Sequence, residues 1–65
     1  PANHPDLAQS YNNIGLVYYS MGEYSKAIEY LERALDIYQR SLPPNHPNII
    51  DVKESIETVK RKLKV

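Results

Sequence analysis

Apolar residues recur along most of this chain at steps of three and four, the spacing of one helical face and not of a strand. Leu7, Tyr11, Ile14, Tyr18 and Met21 follow steps of four, three, four and three. They predict a helix A from about residue 5 to about residue 21, with that stripe as its packed face. Tyr24, Ala27, Ile28, Leu31, Ala34, Leu35 and Tyr38 mark a second stripe, while Glu23, Lys26, Glu29, Glu32, Arg33, Asp36 and Arg40 lie mostly off it. A helix B over about residues 24 to 41 is expected. Ile49, Val52, Ile56, Val59 and Leu63 form a narrower seam, interrupted by Lys53, Glu54, Glu57 and Lys60. It predicts a helix C over about residues 47 to 63.

The boundaries have chemical causes. Asn3 and Asn45 offer side-chain acceptors to the unpaired amides of a first helical turn. Pro5 and Pro47 lose nothing there, because a first-turn amide has no acceptor inside the helix. His4 stands between cap and first turn, since the residue before a proline is biased toward extended backbone. Gly22 suits the left-handed residue that closes a helix, so helices A and B should form a tight antiparallel hairpin. Pro43 and Pro44 then stop helix B. The chain opens on Pro1 without an initiator Met, which suggests processing or, preferably, a piece cut from a longer polypeptide.

Asn3-His4-Pro5 recurs as Asn45-His46-Pro47, 45 minus 3 or 42 positions on. Periods of this size are the signature of stacked repeats. In that register Leu7 maps to Ile49, Ile14 to Ile56, Val17 to Val59 and Met21 to Leu63, making helix C a second copy of helix A. Tyr11, Gly15 and Tyr18 become Lys53, Glu57 and Lys60, the substitutions expected of a solvated terminal cap. Tyr11, the pair Ile14-Gly15 and Tyr18, followed by the turn Gly22-Glu23-Tyr24 and then Ala27, Leu31 and Ala34, resemble the tetratricopeptide repeat. The likeness is to its longer, 42-residue form found in kinesin-light-chain-like proteins, and it covers nearly the whole chain. Departures are Tyr11 for the commoner Trp, Leu31 for an aromatic, and Gln39 where the shorter repeat carries its terminal Pro. The resemblance implies an all-α fold, one antiparallel hairpin plus a third, capping helix, as a fragment of a right-handed α-solenoid. It divides the chain into a repeat over 1–42 and a linker with capping helix over 43–65. The residues agree with it, because Gly15 and Ala27 lack bulk where two helices must approach closely.

Composition narrows the functions. Eight basic and eight acidic residues leave no net charge among 65 residues, so no whole-molecule field draws in nucleic acid or an anionic membrane. The Lys60-Arg61-Lys62-Leu63-Lys64 run complements the dipole at a helix C-terminus. With no Cys there is no disulfide framework, no thiolate metal site and no cysteine nucleophile. No apolar run approaches the roughly 20 residues of a membrane span. The compartment is undetermined, the cytoplasm being the expected one.

Candidate chemistry is sparse. His4 and His46 occupy the same phase of the repeat and lack converging ligands, which favours a structural role at the helix starts. No serine has a neighbouring His–acid arrangement, and no phosphate-binding loop is present. No cofactor, metal site or enzymatic activity is expected. Tyr11, Tyr18, Tyr24 and Tyr38 lie on packed stripes, whereas Tyr19 should be exposed or face a groove. Glu29 with Arg33 and Asp36 with Arg40 have the spacing of surface helix pairs.

What remains is the other face of helix A. Gln9, Asn12, Asn13, Leu16, Tyr19 and Ser20 point away from the core stripe, and two adjacent asparagines are a poor choice inside a helix. In the family helix A lines the concave groove, so these six residues are the implied peptide-contacting positions, Asn13 especially, with Asp51, Glu54, Ser55, Thr58, Arg61 and Lys62 as their counterparts in helix C. An amide side chain both donates and accepts, matching a peptide unit. The expected function is a non-enzymatic scaffold binding a protein or peptide partner through helix A when stacked in an array. The alternative is a self-assembling repeat fragment, a homo-oligomer or domain-swapped dimer, joined through the flank of Leu16, Val17 and Tyr19.

Overall fold

The computed structural model describes residues 4–64. Three helices follow in order, α1 (Pro5–Ser20), α2 (Tyr24–Ser41) and α3 (Pro47–Lys64), with no strand among the described residues. The fold is thus all-α, a hairpin with a third helix. The middle helix packs against both neighbours, while α1 and α3 meet only along a rim.

The turn after α1 forms because Gly22 adopts φ +79°, a left-handed conformation that side chains resist. Two bonds then close the helix end. The Glu23 amide donates to the Tyr18 carbonyl at 2.9 Å, and the Gly22 amide to the Tyr19 carbonyl at 3.0 Å, the paired pattern of a Schellman motif.

The helix starts are capped by histidines. The Asp6 amide donates to Nδ1 of His4 at 3.1 Å, and the Asn48 amide to Nδ1 of His46 at the same distance. The expected cap Asn45 is thereby corrected to His46, whose backbone carbonyl also takes the first amides of α3. Asn3 lies outside the described residues. A neutral imidazole nitrogen has the same lone pair that an asparagine oxygen would offer, and the proline that follows holds the cap residue extended.

The core consists of Ala8, Ala27, Leu31, Ala34, Ile37, Tyr38, Ile49, Val52, Ile56 and Val59. Helix α2 supplies half of it because it is packed on two sides. Its contact with α1 centres on Gly15, where an added Cβ would lie 2.9 Å from Leu31 Cγ and 3.2 Å from the Ala27 carbonyl oxygen. Only a hydrogen fits there, which brings the two backbones close.

The packed face of α1 differs from the expected stripe. Ala8 and Gly15 are buried, but Ile14 and Met21 are 39% and 65% exposed. Of the expected stripe, Leu7, Tyr11 and Tyr18 are half-buried and pack on the core, whereas Ile14 and Met21 turn outward and the closest approach to α2 falls on the small residues. Leu63 leaves the α3 seam for the same kind of reason, being 51% exposed in the last turn. Ile37, absent from the expected α2 stripe, is in the core.

Tyrosines close the far edge of the hairpin. Tyr30 stacks on Tyr18 at 5.5 Å between ring centroids and leans on Tyr11 at 6.0 Å. Arg33 lies over Tyr30 and Tyr11 at 5.3 and 5.9 Å, and Lys26 over Tyr18 at 5.8 Å. This attraction between cation and ring takes Arg33 away from Glu29, and the expected Glu29–Arg33 pair does not form among the described residues. The Asp36–Arg40 pair does, at 3.3 Å on an exposed surface.

Candidate functional site

Along the rim where α1 approaches α3, the surface sinks into two adjoining depressions. One, of about 360 Å³, is lined by Leu16 and Tyr19 of α1 and by Asp51, Glu54, Ser55, Thr58 and Val59 of α3. The other, of about 200 Å³, is lined by Gln9, Asn12, Tyr38, Asn48, Asp51 and Val52. The two meet at Asp51 as the halves of a shallow trough, and the larger half shares Glu54 and Thr58 with a third depression that Lys53, Glu57 and Arg61 also line.

Each wall follows from helix geometry. Asn12, Leu16 and Tyr19 succeed one another at steps of four and three, so they share the α1 face that looks across to α3. Asp51, Glu54 and Thr58 do the same on α3. The floor comes from core residues, Val52, Val59 and Tyr38. Tyr19 is half-buried and packs its ring at 5.6 Å from that of Tyr24, which fixes one end of the trough.

At the other end the Tyr38 hydroxyl donates to Oε1 of Gln9 at 3.2 Å, and Nε2 of Gln9 donates to Oδ1 of Asn13 at 3.2 Å. Burial, and secondarily the charge of Asp6, raise the Tyr38 pKa above its ordinary value. The hydroxyl therefore stays protonated through neutral pH and holds Gln9 in place.

Four of the six residues singled out on helix A, Gln9, Asn12, Leu16 and Tyr19, line the trough. Asn13 and Ser20 line neither depression. Asn13 is exposed and bonded to Gln9, and the Ser20 hydroxyl donates back to the Leu16 carbonyl at 3.1 Å. On α3, Asp51, Glu54, Ser55 and Thr58 face the trough, whereas Arg61 borders the adjoining depression, which Lys53 and Glu57 also line and which shares Glu54 and Thr58 with the trough. Sequence reasoning missed Tyr38, Asn48, Val52 and Val59 as trough residues. Three of these are core side chains whose outer edges reach the surface, a property no stripe announces.

A second surface is the outer flank of α1. Val17 is 58% exposed, and with Ile14 and Met21 it forms an apolar stripe. The expected flank of Leu16, Val17 and Tyr19 is redrawn accordingly, because Leu16 and Tyr19 turn toward α3. Among the described residues no group of three or more His, Cys, Asp or Glu side chains could hold a metal ion. No described helix is long and apolar enough to cross a membrane.

The hairpin closed on Gly15, with a copy of its first helix packed behind it, has the architecture of a helical repeat. A tetratricopeptide-repeat family model matches residues 7–48, more than half of the chain, and the chain belongs to that family. The family is one of protein–protein interaction scaffolds. No curated protein and no solved structure matches the chain.

Proposed function

We propose that this chain is a peptide-binding scaffold unit whose α1 face holds a segment of a partner protein, with residues 1–42 as the repeat and α3 as its cap. The observation that carries this reading is the pair of depressions that meet at Asp51, with α1 amides at one end and Leu16 and Tyr19 at the other. Asn12 is half-buried on its wall, and its amide can both donate to and accept from an extended backbone. Apolar contact at one end with amide pairing at the other is the composition of a small recognition site. The test is selection of random nonapeptides on the immobilised chain, followed by anisotropy titration of the winners. Asn12→Ala and Leu16→Ala should each weaken binding about tenfold, roughly the worth of one or two lost contacts. Glu29→Ala, on the outside of α2, should not. Equal binding by all variants, or no selected peptide, overturns the reading.

The flank of α1 supports a second reading, self-association. Ile56 and Val59 are 5% and 2% exposed against α2, yet their repeat counterparts Ile14 and Val17 are open. A second copy covering that stripe would remove apolar surface from water, at about 25 cal/mol per Å². Sedimentation equilibrium tests it: a concentration-dependent mass abolished by Val17→Lys supports the reading, and a monomer at every concentration refutes it.

A further inference from the structure

The trough carries a charge that its lining does not balance. Asp51 and Glu54 stand one helical turn apart on its α3 wall, and no Lys, Arg or His lines either depression. The α1 wall opposite is neutral. Among the described residues the salt bridges are Arg40 with Asp36 and the His4–Asp6 approach, so neither trough carboxylate has a cation. Side-chain hydrogen bonding leaves them open as well, since the Thr58 hydroxyl donates to the backbone carbonyl of Glu54 at 3.0 Å and not to its carboxylate.

Resting on the peptide-scaffold reading of the same site, we propose that the segment bound in the trough is cationic. It places a Lys or Arg against Asp51 and Glu54 and an aliphatic or aromatic neighbour on Leu16 and Tyr19. The pairing is local, because the chain as a whole is neutral and exerts no long-range attraction. An acidic segment would meet two carboxylates with no cation lining the trough to offset them. Of the basic residues at the end of α3, Arg61 borders the adjoining depression, which shares Glu54 and Thr58 with the trough, and none lines the trough itself. Glu54 also borders the next depression, where Lys53 and Arg61 stand, whereas Asp51 borders only the two halves of the trough. Asp51 is therefore the stronger attachment point, and Arg is preferred to Lys because its planar fork pairs with a carboxylate through two bonds at once.

The test uses the peptides selected on the chain. Winners should be enriched in Arg and Lys and depleted in Asp and Glu. Their affinity should fall about fivefold for Asp51→Asn, less for Glu54→Gln, and further as NaCl is raised from about 50 to about 300 mM. Both substitutions are isosteric at exposed positions, and circular dichroism checks that each variant keeps its helices. Neutral or acidic winners that lose affinity on Leu16→Ala but not on Asp51→Asn overturn this inference and leave the scaffold reading standing. Winners indifferent to Leu16→Ala, Asn12→Ala and Asp51→Asn alike, or no winner at all, overturn both.

Discussion

Replacing Gly15 by alanine sets two effects of known size against each other. In an exposed helix the change is favourable by about 0.8–1.0 kcal/mol, because alanine loses less backbone freedom on folding. At this position the new methyl would lie 2.9 Å from Leu31 Cγ and 3.2 Å from the Ala27 carbonyl oxygen. Neither neighbour can yield cheaply: Leu31 is fully buried, the atom met is its branch point, and the second contact is backbone. Relief requires α1 and α2 to separate, and overpacking of this kind costs about 1–3 kcal/mol. The balance is a net loss of about 1 kcal/mol, since the steric term exceeds the propensity gain over most of its range. In urea, with a slope of about 1 kcal/mol per molar for a chain this small, the midpoint followed by helical circular dichroism should fall by about 1 M. The sign should reverse when Leu31 is shortened. Leu31→Ala alone should cost about 2–5 kcal/mol, and adding Gly15→Ala to it should recover part of that loss by filling the space. The double-mutant cycle should give a coupling of about 1–2 kcal/mol. A raised midpoint for Gly15→Ala in the otherwise unchanged chain, or zero coupling, would refute the close approach of α1 and α2.

The histidine caps make a matching prediction. His46→Ala should cost about 0.5–2 kcal/mol in a urea titration at neutral pH, while His46→Asn, which keeps an acceptor, should retain most of the stability; equal losses would show that Nδ1 does not cap α3. Tyr38 predicts an alkaline effect. Its folded pKa is raised above the ordinary 10.0, so the contribution is present below that value and is lost as pH rises from there through the raised folded value. Tyr38→Phe should cost about 0.5–1.5 kcal/mol at neutral pH through the lost bond to Gln9, and should decline less steeply than the parent chain above pH about 10. Parallel declines would refute the burial of that hydroxyl.

The three helices were legible because their signals agree: period, proline and glycine punctuation, and a repeated Asn-His-Pro start. The α3 seam was legible for the same reason, Ile49, Val52, Ile56 and Val59 all being large and all packed. The phase of α1 was legible only in part, since Leu7, Tyr11 and Tyr18 pack on the core while Ile14 and Met21 do not. Counting large apolar residues favours Leu7, Tyr11, Ile14, Tyr18 and Met21, but the closest contact belongs to Ala8 and Gly15, whose value is their lack of volume. Tyr30 escaped notice because it stacks on Tyr11 and Tyr18 across the interface, and a pairing between helices needs the phase of both. The histidine caps were legible in part: both histidines fell at the helix starts and His4 stood between cap and first turn, but Asn45 was expected as the acceptor because imidazole is not among the usual cap side chains. On the trough, spacing gave four α1 wall positions along with two, Asn13 and Ser20, that lie off it, whereas the floor consists of core residues seen from outside.

The exchange of Gly15 for Glu57 between the two copies would, with α3 as the proposed cap, give an array of such units a direction of growth. A further hairpin placed ahead of α1 would meet Ile14, Val17 and Met21 already bare, and nothing would have to be rebuilt to receive it. A hairpin placed after α3 would bring its own first contact onto Glu57, at the one register position where even a methyl is too large in the copy that does carry a partner, with Lys53 and Lys60 in place of the two tyrosines beside it. On the proposed reading of α3 as a cap, these three substitutions are what would end a stack at its outer face, while the α1 flank would still accept a neighbour.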